Sequence, residues 1–145
     1  MTKKTRYKVS LLNEWIERLG LQDWAIILDT ECHPAEMKLQ GTLGCTSWEE
    51  STKSAFIQIV DPEKMEGLTR DFDFEEILVH ELLHLKMTLL STNGSEETVS
   101  DRVLHQLIDD IARAMIDIKK KERLNNGKVS DLRRGKQETD QKDKT

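Results

Sequence analysis

The sequence predicts a small α+β domain in which a mainly antiparallel sheet of about three strands packs with three helices. Three observations lead there. Apolar residues recur at helical spacing near the start and again after residue 100. Short runs bearing Ile, Val and Trp, separated by polar turns, occupy residues 23–60, and an apolar run of helical length follows at 74–90.

Leu11, Leu12, Trp15, Ile16 and Leu19 fall on one face of a helix over Val9–Leu19, which Gly20 stops. Asp23–Leu28 is short and apolar and reads as a mostly buried strand. Cys32–Gly44, with Pro34 and two glycines, reads as a loop. Cys45–Trp48 and Ala55–Val60 are two strands joined by the polar Glu49–Ser54, which makes a hairpin. Asp61-Pro62 ends the second strand, and Glu63–Asp73 leads into the helix Phe74–Leu90. Asn93-Gly94 breaks that helix, and Ser95 is the expected N-cap of the next, with Glu96 and Glu97 favourable beside its positive end. Leu104, Leu107, Ile108, Ile111, Met115 and Ile118 give this last helix one apolar stripe. Beyond it, residues 119–145 are charged, nearly free of large apolar side chains, and expected to be a disordered tail, leaving 1–118 as a single domain.

The basic N-terminus leads into an amphipathic stretch and not an apolar signal core, and no apolar run reaches the roughly 20 residues of a membrane span, so a cytoplasmic protein is expected. Cys32 and Cys45 form no C-x-x-C pair, and two cysteines are too few for a disulfide scaffold. Residues 9–118 hold 8 Lys/Arg against 22 Asp/Glu, so the body is acidic while the ends are basic. A nucleic-acid surface needs clustered cations to displace counterions from phosphates, which argues against such a partner for the folded part.

His80-Glu81-Leu82-Leu83-His84 matches H-E-x-x-H. On a helix, positions four apart lie about 40° apart on one face, so both imidazoles can reach one ion. Glu81 projects beside them, where a carboxylate can take a proton from an activated water and later pass it on. The surrounding helix is apolar nearly all round, and burying two imidazoles and a carboxylate there carries a desolvation cost that a metal ion would offset. Catalytic zinc usually takes three protein ligands, and the candidates for the third are His33, Glu96, Glu97, Asp101 and His105. If the helices on either side of Asn93 pack antiparallel, His80 and His84 stand level with about residues 106 and 102, which favours His105 and leaves Glu97 as the second choice. Asp101 also suits a supporting carboxylate.

Leu19–Trp24, Trp48 with Ala55–Ile59, Ile77–Leu85 (ILVHELLHL) and His105–Met115 together resemble the small metallopeptidases of phages and other bacterial mobile elements, over about 100 residues. The resemblance implies a minimal zincin-like fold with an active-site helix, a small sheet and a supporting C-terminal helix, and a third ligand at the position of His105, where the family often has Glu. Glu97-x-x-Ser100-Asp101 separately resembles the Glu-x-x-Ser-Asp string of thermolysin-like gluzincins, though it lies closer to His84. The expected function is zinc-dependent hydrolysis of a peptide or protein substrate, with His80, His84 and His105 holding Zn²⁺ and Glu81 as general base. Tyr7, His33 and Arg113 are candidate transition-state donors. The alternatives are a catalytically silent zinc-binding interaction or regulatory module of the same origin and a DNA-associated protease of the SprT type, against which the acidic body and the missing Cys-rich ribbon both speak.

Overall fold

The computed structural model describes residues 2–67, 72–88 and 99–142, with the side chains of the last helix described at 101–127. Helix α1 (Lys3–Arg18) begins six residues before the amphipathic stretch, because Thr2 caps it: the Thr2 hydroxyl accepts from the Thr5 backbone N–H at 3.1 Å. It buries Leu11, Leu12 and Trp15, and Gly20, at φ +61°, takes the left-handed conformation that turns the chain away.

Three strands follow, β1 (Ala25–Cys32), β2 (Gly44–Glu49) and β3 (Ser54–Val60). They order as β1-β3-β2: β2 pairs antiparallel with β3 as the expected hairpin, but β1 pairs parallel with β3. The sheet is therefore mixed and not mainly antiparallel. The correction has a simple origin. The segment 33–43 carries the chain from the end of β1 across to the start of β2, so β1 and β2 become the two outer strands and β3 fills the middle. That segment is not featureless: Pro34–Glu36 forms a 3₁₀ turn, and Met37 packs with Cys32 and Val60 in a small apolar cluster beneath it.

Helix α2 (Phe74–Lys86) is capped by Asp73, whose carboxylate accepts from the backbone N–H groups of Glu75 and Glu76 at 2.9 and 3.1 Å. It ends at Lys86 and not Leu90. The expected break at Asn93-Gly94 and the expected cap at Ser95 lie outside the described residues. α2 is buried on most of its circumference through Leu78, Val79, Glu81, Leu82, Leu83, His84 and Leu85, and packs on α1, β2 and β3. The indole N–H of Trp15 in α1 donates to Glu75 Oε1 at 2.7 Å and fixes the two helices at one end.

Helix α3 runs Val99–Lys142. The chain divides into two compact units between Ala112 and Arg113. Within the second unit α3 continues through the segment expected to be a disordered tail; its Lys, Arg, Glu, Gln and Leu residues are good helix formers, and the chain has no proline after Pro62. No helix among the described residues is long and apolar enough to cross a membrane.

Candidate metal centre

α2 contributes His80 and His84 one turn apart, and α3 brings His105 against them, all within the first unit. One nitrogen from each ring lies within 4.8 Å of the other two, a cluster that could hold a metal ion. The rings meet edge to face, with centroids 4.9 to 5.5 Å apart. His80 Nε2 and His84 Nε2 are 3.2 Å apart. His84 is buried, His80 partly so, and His105 stands at the surface, so the cluster opens to solvent on the α3 side.

Burial sets the protonation of the first two rings. Desolvation pushes the His84 imidazole down to about 3, helped by the two other histidines, which oppose a second positive charge. Desolvation also lowers His80, against the opposing pull of Asp109. Asp109 Oδ1 lies 2.7 Å from His80 Nδ1, on the far side of the ring from the Nε2 that faces His84. With Nδ1–H donating to that carboxylate, Nε2 carries the lone pair of the ring and accepts from His84 Nε2.

Glu81 occupies the other flank of α2, almost wholly buried. The Thr46 hydroxyl on β2 donates to Glu81 Oε2 at 2.7 Å and stands 3.2 Å from the Glu81 backbone carbonyl. Gly44, two residues earlier on the same strand face, lies directly against the carboxyl group. A Cβ placed on Gly44 would stand 2.9 Å from Glu81 Cγ and Cδ and closer still to Oε1, so any side chain there would require the Glu81 carboxyl group to shift. Burial pushes the Glu81 carboxyl up to about 7; the Thr46 hydrogen bond works in the opposite direction, and the charge of Asp109 adds to the rise.

Among the third-ligand candidates, His105 is the one that joins His80 and His84 within the described residues. His33 caps the 3₁₀ turn instead, its Nδ1 accepting from Ala35 N at 3.1 Å. Asp101 is buried one turn before His105 on α3, outside the three-histidine set. Glu96 and Glu97 lie outside the described residues. Of the candidate donors, Tyr7 is exposed on α1, His33 is committed to its cap, and Arg113 belongs to the second unit.

Sequence reasoning missed three residues. Asp109 follows His105 by one helical turn, a spacing that marks a carboxylate on the same face. By sequence Gly44 reads as the end of a loop and Thr46 as a strand residue without a role, although their spacing of two puts both on one face of a strand. Comparison with family models, with curated proteins and with solved structures finds no match to this chain, so the case for the site rests on its own residues.

Proposed function

We propose that this chain is a zinc-dependent, metallopeptidase-like hydrolase built on a minimal zincin-like domain. The observation that carries the reading is the meeting of three imidazoles from α2 and α3, with a buried carboxyl at the position following the first of them. An all-imidazole set suits zinc among the common divalent ions, and three protein ligands leave a position open. Nitrogen ligands of tetrahedral zinc stand about 3.3 Å apart. The His80–His84 pair already has that spacing at 3.2 Å, and His105, being exposed, can close by side-chain rotation.

His80, His84 and His105 would hold the zinc, which when bound would supply Lewis acidity toward a water at the open position. Asp109 fixes the His80 ring and its tautomer. Glu81, at the position following the first ligand and held on β2 by Thr46, would accept a proton from the attacking water and return it to the leaving amine.

The sheet offers a place for a peptide. β2 is an outer strand whose one sheet neighbour among the described residues is β3. The bond from Val60 N to Leu43 O at 3.0 Å sets the phase of the antiparallel ladder. In that phase Cys45 and Ser47 point their backbone groups at β3, and Gly44 and Thr46 point theirs away from it. An extended substrate added along this edge would pair with the two residues whose other sides touch Glu81.

The test is zinc content together with hydrolysis of fluorescein-labelled casein, for the wild type and for His105→Ala and Glu81→Gln. One equivalent of zinc and turnover in the wild type, zinc without turnover in Glu81→Gln, and loss of both in His105→Ala are expected. Turnover by Glu81→Gln at the wild-type rate would remove the assigned base. Zinc binding with no hydrolysis in any form would leave the silent zinc-binding module as the better reading.

A further inference from the structure

Helix geometry fixes the Cα of Glu81 but not its carboxyl group, which sits on a side chain with three rotatable bonds. What limits those bonds lies on another element. Thr46 donates to Oε2, and Gly44 leaves the space that the rest of the carboxyl group fills. The same hydroxyl is also within reach of the Glu81 carbonyl, so Thr46 grips the residue at both its backbone and its side chain.

Resting on the reading of Glu81 as general base, we infer that Gly44 and Thr46 are positioning residues for that base, and that β2 sets where its carboxylate stands. Two independent features support this. The hydrogen bond is directional, and at 2.7 Å it has the length of an O–H donor to a carboxylate. The contact with Gly44 is steric: a Cβ at that position would push the Glu81 carboxyl group from its place. Between them they remove alternatives that a solvent-exposed glutamate would sample, which is the preorganisation a proton-transfer group needs. Among the described residues no hydrogen bond joins Gly44 or Thr46 to the three imidazoles, so their effect separates from metal binding.

The experiment compares zinc-loaded, full-length wild type with Thr46→Val, Thr46→Ser and Gly44→Ala, measuring kcat and KM on labelled casein beside zinc affinity. Thr46→Val keeps the shape and loses the donor, and kcat is expected to fall by about tenfold or more with KM and zinc affinity unchanged. Thr46→Ser keeps the donor and is expected to recover most of the loss. Gly44→Ala should lower kcat at least as much. Wild-type kcat in both Thr46→Val and Gly44→Ala, or a Thr46→Ser no better than Thr46→Val, would overturn the inference. Crystal structures of Thr46→Val and Gly44→Ala decide the matter separately from the function: a carboxylate displaced from its place beside β2 supports positioning by the strand, and one that has not moved refutes it. If Glu81→Gln turns over at the wild-type rate, the assignment of the base fails, and the crystal structures still report on whether β2 places the side chain.

Discussion

The two flanks of α2 bury titratable groups under opposite conditions. Towards α3, desolvation favours the neutral imidazoles of His80 and His84, the form in which a histidine binds an ion. Towards β2, desolvation makes ionising Glu81 costly, and its carboxyl keeps its proton up to about 7. The same physical cause prepares one flank to receive a cation and loads the other with an unfavourable charge that a nearby cation would relieve. A divalent ion would meet uncharged rings and would lower the cost of ionising the carboxyl at the next position of the helix.

Removing a ligand should disturb this contrast most. His105→Ala is expected to weaken zinc binding by well over the 100-fold or so that loss of an outer partner costs, as read by competition with a chromophoric chelator. An affinity within a factor of ten of wild type would show that the cluster is not the site.

Next in size is the pH dependence of metal-free stability, where the two flanks act in opposite directions. Glu81 has a folded pKa above its ordinary 4.5, so the native state holds the proton more tightly and loses stability as pH rises from 4.5 through about 7. In chelator, Glu81→Gln should therefore be more stable than wild type by up to about 3 kcal/mol at pH 8, with the gain vanishing below pH 4.5. His84, held down to about 3, contributes stability that is fully present above its ordinary 6.5 and is lost as pH falls towards 3. Urea unfolding at pH 4, 6 and 8 separates the two limbs, and a Glu81→Gln gain that is flat with pH would contradict the burial account.

Asp109→Ala should cost about 10 to 100-fold in zinc affinity while leaving metal-free stability much less affected, because it frees the His80 ring without removing it. The smallest effect tests the scaffold behind both flanks. Trp15→Phe removes the indole donor to Glu75 and should lower stability by about 1 kcal/mol in thermal or urea unfolding, with zinc affinity unchanged.

How much of this the sequence could reveal depended on the range of the interactions. His80 and His84 are legible because helical periodicity alone puts them on one face, and His105 is the residue that an expected antiparallel pairing of the two helices points to. Asp109 was not singled out because it is one of many acidic residues, and nothing local marks the one that meets a histidine. Gly44 and Thr46 acquire meaning only when α2 lies across β2, a contact between segments far apart in the chain. The parallel pairing of β1 escaped for a similar reason: three short apolar runs do not state their order, and the hairpin is the one pairing whose partners are adjacent. The helical course of α3 beyond Lys119 shows composition cutting both ways, since the charged residues that suit a solvated tail also favour a helix.

The order β1-β3-β2 has a consequence in time. The strand in the middle of the sheet is the last of the three to be synthesised, so β1 has no sheet partner until β3 exists. The β2–β3 hairpin needs only the short turn after Glu49 and can close in about 1–10 μs, whereas Ala25 must find Ser54 across an intervening stretch that includes all of β2. The hairpin is thus the natural seed of the sheet, and it already contains Gly44 and Thr46. The seat for Glu81 belongs to the most local pairing of the sheet, and the helix that carries Glu81 follows it in the chain.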